Sequence, residues 1–335
     1  MQDGAFDVVG LGNAIVDVLA HTNDAFLAEH GMAKGAMTLI EANRALEIYR
    51  LLENCVECSG GSAANTMVGL ASLGGSAAYV GKVRDDRLGE IFREDIRAAG
   101  VTFDTPSAED GPPSGRSLVL VTPDAQRTMN TYLGASATLG PEDLDAAMIE
   151  KARITYLEGY LWDPAPAKQA FLKATQIAHA AGRKVALSLS DPFCVERHRG
   201  EFRDLVAGPV DLLLANEAEV ISLYETAGFD EALERLREDC EVAAVTRGAQ
   251  GSVIVSGAET VRVEAEPVQA VVDTTGAGDL FAGGFLLGIS RGLDLATCGK
   301  LGSLASAEII SHFGARPEAS LKELARERAG FSLDS

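Results

Sequence analysis

The segment Asp273-Thr274-Thr275-Gly276-Ala277-Gly278-Asp279, followed at once by LFAGGFLLGISRG, carries the most chemistry in the chain. Small residues at 276, 277 and 278 leave several backbone N–H groups unblocked at the start of an apolar helix. These groups point outward at the positive end of the helix dipole, which makes an anion hole that needs no basic side chain. Asp279 beside it would be repelled by a bound phosphate, a costly placement for a helix cap alone. The carboxylate makes sense as a general base, taking the proton of a hydroxyl as that hydroxyl attacks phosphorus. The plain structural alternative is a glycine-rich loop capped by Asp279.

Other polar groups sit where strands end. Gly10-Leu11-Gly12-Asn13-Ala14-Ile15-Val16-Asp17 follows the first apolar run, the place where an open α/β sheet puts its ligands. It is not a dinucleotide fingerprint, because Ile15 occupies the third glycine position. Asn13 and Asp17 instead offer the neutral and charged acceptors that vicinal hydroxyls require, although Asn13 is equally a turn residue. Asn216-Glu217-Ala218-Glu219 follows the strand DLLLA; a carboxylate there suits a hard cation, and the same pattern alone is more often a capped helix start. Thr246-Arg247-Gly248-Ala249-Gln250-Gly251 reads as a hairpin turn. Three patterns carry nothing: Gly75–Lys82 has one residue too many for a phosphate loop, Cys55-Val56-Glu57-Cys58 lacks a second pair, and the five histidines show no ligand spacing.

The chain has 335 residues, 47% hydrophobic and 23% charged, a composition that folds around a core. Its 29 basic and 49 acidic residues give a net charge of −20, which argues against nucleic acid and anionic membranes as partners. Any bound nucleotide must be held by local donors. Five cysteines without disulfide spacing, an opening MQDGAFD without leader character, and no apolar run longer than about Leu280–Ile289 lead to the expectation of a soluble, cytoplasmic protein.

The elements that must position these residues alternate. Strands are expected at Asp7–Leu11, Ala77–Val83, Ile154–Leu157, Lys184–Leu189, Val210–Ala215 and Val242–Thr246. Helices are expected at Gly61–Leu73, Arg87–Ala99, Ala165–Ala181, Glu217–Glu225, Gly278–Ser290 and Leu295–His312. This rhythm predicts an α/β fold, a mostly parallel central sheet covered by helices on both faces. Two regions break it. Asp17–Glu41 and Ser114–Gly134 alternate apolar and polar residues without helices between them, as in Arg116–Val121. They are expected to form a small β-sheet lid. The large body then comprises 1–16, 54–113 and 135–335, and the lid 17–53 and 114–134.

The DTTGAGD segment resembles the C-terminal signature of the ribokinase-like (PfkB) carbohydrate and nucleoside kinases. Gly60-Gly61-Ser62-Ala63-Ala64-Asn65, continuing through GLASLGG to Tyr79-Val80-Gly81, resembles the family's other signature. The resemblance covers essentially the whole chain, in order. It implies ATP-dependent phosphorylation of a hydroxymethyl group, with Asp279 as base and Gly276, Ala277 and Gly278 as anion hole. By the same resemblance Asp17, Gly60, Gly61 and Asn65 hold acceptor hydroxyls, and Arg127 reaches from the lid toward the transferred phosphate; a solvated edge charge is the default for such an arginine. Asn216 and Glu219 organise Mg²⁺, mostly through water, while Thr246, Gly248 and Gly251 sit by the ATP. An aspartate like Asp273 often lies beside a K⁺ site.

Within the family, Leu189-Ser190-Asp191-Pro192-Phe193 and Gly10–Asp17 resemble the adenosine kinase group. That implies a purine pocket walled by Ile15, Tyr160, Leu161 and Phe193, and adenosine as acceptor. Adenosine kinases carry a Phe-Phe pair where this chain has Tyr160-Leu161, so another purine nucleoside, or a sugar such as ribose or fructose, stays open. A catalytically silent sensor of a nucleoside or metabolite is the reading from another class, opposed by the intact Asp279. A monomer and a homodimer are both compatible with the sequence.

Overall fold

The apolar runs become the strands of one nine-stranded sheet in the computed structural model, which describes residues 5–124 and 126–329. From one edge the order is Glu259–Val263, Ser252–Ser256, Val242–Thr246, Leu212–Asn216, Lys184–Ser188, Ala152–Glu158, Phe6–Leu11, Ala77–Val80 and Val101–Thr102. All pairings are parallel from Val101–Thr102 through Val242–Thr246. Ser252–Ser256 then turns back antiparallel after the Gly248–Gln250 turn, the hairpin expected there. Parallel pairing requires crossovers, and these carry helices over both faces.

Each face has its own core. Val8, Met67, Tyr79, Leu280 and Phe285 belong to one, with helices Ser62–Ser72, Ala277–Ser290 and Leu295–Ile309. Val9, Leu157, Phe171, Leu187 and Phe202 belong to the other, with helices Ala165–Ala180 and Pro192–Val206. The α/β fold with helices on both faces is therefore as expected. Among the described residues no helix is long and apolar enough to cross a membrane.

The small sheet has five strands in the order Met37–Leu39, Arg127–Tyr132, Gly115–Val121, Ile15–His21 and Val56–Gly60. Two expectations need correction. Helix Asp24–Glu29 interrupts Asp17–Glu41, expected to be free of helices, and the Asn23 side chain caps it by accepting from Phe26 N at 2.9 Å; a second helix, Ala42–Leu51, follows that stretch and buries Ala45 and Ile48. The sheet also begins at Ile15 and takes in Val56–Gly60, residues assigned in advance to the large body. Thus Gly60 and Gly61 lie where the small sheet joins the main body. The outer limits of the expected body, at 1 and 335, lie outside the described residues.

Candidate active site

Gly276 adopts a left-handed φ of 76° and opens helix Ala277–Ser290, so that Asp279 falls in its first turn. The carboxylate is met from the start of another helix, Ser62–Ser72. Ser62 Oγ donates to Oδ1 at 2.6 Å, and Asn65 Nδ2 donates to Oδ2 at 3.0 Å. The two sequence signatures are thereby joined at one point. A cavity of about 270 Å³ opens beside it, lined by Ser62, Asn216, Glu219, Thr246, Gly276, Ala277, Gly278 and Asp279. Burial raises the pKa of Asp279, while the bonds from Ser62 and Asn65 and the charge of Arg316 oppose the rise. Of the loop's backbone donors, Ala277 N makes a long bond of 3.3 Å to the Thr274 carbonyl; a carboxylate with elevated proton affinity beside a helix start is what proton removal during phosphoryl transfer requires.

On the acceptor side Asp17 lies against Gly60, where a Cβ would stand 2.3 Å from Oδ2. Gly61 has φ 95°, and a Cβ there would be 2.2 Å from the Asn13 carbonyl. Only glycine fits this turn. Burial pushes Asp17 up to about 7; Arg316 opposes the shift and Asp279 adds to it. Asn65 is buried, and its Oδ1 has no hydrogen-bond partner, so an acceptor atom near Asp279 is left for a ligand hydroxyl.

Asn13 needs a different role from the one expected. Its amide donates to Glu158 Oε1 at 2.9 Å and its carbonyl accepts from Ser136 Oγ at 3.1 Å, so the buried side chain is already engaged. Glu158 was missed in the sequence. Only 1% exposed at the end of strand Ala152–Glu158, it also accepts from Ala63 N at 2.9 Å, and burial raises it to about 7. Its signal was a lone carboxylate closing an apolar strand beside the first strand's C-terminal end.

The expected purine walls divide. Ile15 pairs with both Gly60 and Gly115 at the mouth of the small sheet. Tyr160 is half-buried, its hydroxyl 3.5 Å from the Ser190 carbonyl, and Phe193 is 71% exposed. Leu161 does not belong with them: it has no exposed surface and packs in the core beneath helix Ala165–Ala180. A second cavity of about 280 Å³, which the sequence reading missed, is lined by Leu39, Ile40, Tyr132, Leu133, Gly134 and Ala137. A Cβ on Gly115 would touch the carbonyls of both Leu133 and Ala14, so this cavity adjoins the Ile15 segment.

On the other side, Asn216 and Glu219 form a reciprocal cap. Asn216 N and Nδ2 donate to Glu219 at 2.9 and 2.6 Å, and Glu219 N donates back at 2.9 Å. The capped helix start and the cavity wall are therefore the same residues. Glu219 is driven up to about 7 by burial, reinforced by Asp191 and Asp279. With both its oxygens committed to the cap, this pair suits an ion that keeps its water shell. Thr246 reaches the cavity, while Gly248 and Gly251 shape the turn behind it with φ of 56° and 79°.

Arg127 crosses from the small sheet to the anion loop. Nε pairs with Asp273 Oδ1 at 2.8 Å, Nη2 donates to Thr274 Oγ1 at 3.0 Å, and Nη1 donates to Thr275 Oγ1. Asp273 also accepts from Thr275 N, Thr275 Oγ1 and Gly314 N, at 2.9, 2.6 and 3.0 Å. Its positive neighbour is thus a guanidinium: Oδ1 meets Arg127 and Thr275, and Oδ2 accepts from Gly314 N.

The description pfkB family carbohydrate kinase matches residues 38–321. The chain is 54% identical to the crystal structure of adenosine kinase from Sinorhizobium meliloti, covering 96% of this chain and 99% of that one with a TM-score of 0.92. It is 51% identical to a probable sugar kinase protein from Rhizobium etli CFN 42, covering 98% and 99% with a TM-score of 0.93. A more distant relative is a 5-dehydro-2-deoxygluconokinase of Shouchella clausii, 28% identical over 92% of this chain and 91% of that protein.

Proposed function

Because the chain belongs to the pfkB family of carbohydrate kinases, and is a phosphotransferase acting on an alcohol, we propose that it phosphorylates the 5′-hydroxyl of a purine nucleoside, adenosine first, with ATP as donor. The observation that carries the reading is the placement of Asp279. It stands in the first turn of a helix opened by Gly276, with Asn65 donating to it from the other side. An acceptor whose hydroxyls reach Asp17 and Asn65 would present its terminal oxygen to Asp279. The carboxylate takes that proton while the N–H groups of Gly276, Ala277 and Gly278 meet the charge on the transferred phosphoryl. Arg127, bonded to Thr274 and Thr275 of the anion loop, would add positive charge on the same side. Asn216 and Glu219 would hold hydrated Mg²⁺, which when bound neutralises donor phosphate oxygens.

The apolar hollow of Leu39, Ile40 and Leu133 beside Ile15 supports a flat base over a bare sugar, as does the 54% identity to an adenosine kinase. A sugar acceptor is the second reading. It is favoured by the burial of Leu161, which removes one expected stacking wall, and by the 51% identity to a probable sugar kinase. A coupled kinase screen at fixed ATP, over purine nucleosides and free sugars, separates the two. Adenosine leading in kcat/KM supports the nucleoside reading, and a sugar leading every nucleoside removes it. The small sheet acts in this scheme as a lid, so acceptor binding should slow hydrogen exchange in 17–53 and 114–134 more than in the main sheet.

A further inference from the structure

A loop outside both signatures ties the two halves of the site together. After helix Leu295–Ile309, Gly314 N donates to Asp273 beside the anion loop, and Ala315 packs against Gly276. The next residue, Arg316, reaches the other way. Its Nη2 donates to the carbonyl of Ser59 and, at 2.6 Å, to Ser59 Oγ. Ser59 directly precedes the Gly60-Gly61 turn, and its neighbour Cys58 is the register partner of Asp17. Ser59 is held from behind as well, since its N and Oγ both donate to Asp95 Oδ2.

The Arg316 guanidinium is mostly enclosed, with its side chain 19% exposed. Nε and Nη1 are buried without hydrogen-bond partners, and the nearest carboxylate oxygen to Nε, from Asp95, is 3.9 Å away. A desolvated cation with two unsatisfied donors is expensive unless nearby negative charge compensates it. The acceptor site provides that charge. Arg316 is the cation that acts on Asp17, on Asp279 and on the Cys58 thiol.

We propose that Arg316 is a positioning residue for the acceptor: it pins Ser59, and with it the Gly60-Gly61 turn, and it supplies the positive charge that faces Asp17. This rests on the phosphotransferase reading of the site. The groups around Asp17 are Cys58 from the adjoining strand, Ser117 from the strand on its other side, Asp279 from helix Ala277–Ser290, and Arg316 from the loop; Asp95 stands behind Cys58 and Ser59. Among these Arg316 alone is positive. Removing its charge should make Asp17 easier to protonate, so that hydroxyl binding is lost at a higher pH. A packing role alone would leave that titration where it is.

The test compares the full-length wild type with Arg316→Gln, which can still donate to Ser59 but is uncharged, and Arg316→Lys, which keeps the charge. Carbon NMR of labelled aspartate, with Asp17 assigned through Asp17→Asn, follows the carboxyl in the free protein. Its midpoint should rise by about one unit in Arg316→Gln and by less in Arg316→Lys. With the best acceptor of the wild type, Arg316→Gln should raise KM about tenfold with a smaller fall in kcat, and Arg316→Lys should restore most of it. An unmoved midpoint with unchanged KM, or equal losses in both variants accompanied only by lower melting temperatures, overturns the proposal. Should Arg316→Gln not fold, Ser59→Ala decides: KM must rise while the midpoint stays. A wild type with no phosphorylatable acceptor defeats the functional reading, yet the midpoints still judge Arg316.

Discussion

The hydroxyl of Ser62 and the carboxylate of Asp279 meet at 2.6 Å although 217 positions separate them in the chain. Each lies in the first turn of a helix, so two positive helix ends converge on the carboxylate proposed as the base. The Ser62 bond stabilises the ionised carboxylate against the burial that raises its pKa. Ser62→Ala should therefore move the acid limb of the kcat profile to higher pH and lower kcat about tenfold at neutral pH. Acceptor affinity, measured by calorimetry, should hardly change. An identical pH profile would mean that the bond does not tune the base.

Asp17 is expected to act in binding, since the acceptor hydroxyls proposed to reach it would already be present before reaction. Asp17→Ala removes a charged acceptor worth ~1.5–3 kcal/mol, so the acceptor dissociation constant should rise roughly 10–150-fold. Some loss of kcat should follow from a misplaced substrate. Calorimetry showing unaltered affinity would remove Asp17 from the acceptor site.

Leu161 and Phe193 should respond in opposite ways. Leu161 lies wholly in the core, and Leu161→Ala should cost about 2–5 kcal/mol in urea unfolding while leaving the ratio of nucleoside to sugar kcat/KM intact. Phe193, 71% exposed, should cost little stability when changed to Ala, but it should lower that ratio about tenfold if it covers a base. A stable Phe193→Ala enzyme with the wild-type ratio would place the base elsewhere, with the Leu39 cavity the next wall to test.

The buried carboxylates also set a pH dependence of stability. Asp17, Glu158 and Glu219 all have folded values near 7, well above their ordinary range, so the native state binds more protons than the unfolded chain between about pH 4 and 7. Stability must then fall as pH rises through this window. Thermal melts of the ligand-free protein should decline from pH 5 to pH 8, and Asp17→Asn should flatten the decline. A melting temperature that climbs over this range would contradict the burial of these charges.

What the sequence disclosed followed from local chemistry. Gly276 is legible because a positive φ opens its helix, Gly60-Gly61 because Asp17 and the Asn13 carbonyl stand where a Cβ would be, and the central strands because they are buried on both faces. What it hid depended on partners far along the chain. Glu158 looks like the polar end of a strand until Asn13 and Ala63 close over it. Leu161, between Tyr160 and Trp162, resembles a wall of a pocket, and only the packing of helix Ala165–Ala180 turns it into the core. Val56–Gly60 (VECSG) lacks the apolar alternation of a strand; its place comes from pairing with Ile15–Leu19. Arg316 has no local signature at all, because its role lies in Ser59.

In the proposed reaction Asp279 removes the acceptor proton. Asp279→Asn keeps the size of the side chain and cannot accept that proton, so kcat should fall by about 10²–10⁴ while the acceptor dissociation constant stays near normal. Steady-state rates beside calorimetry, with thermal melts to establish folding, make the measurement. A folded Asp279→Asn protein that turns over near the wild-type rate would contradict the account, because phosphoryl transfer would then need no base at this helix start.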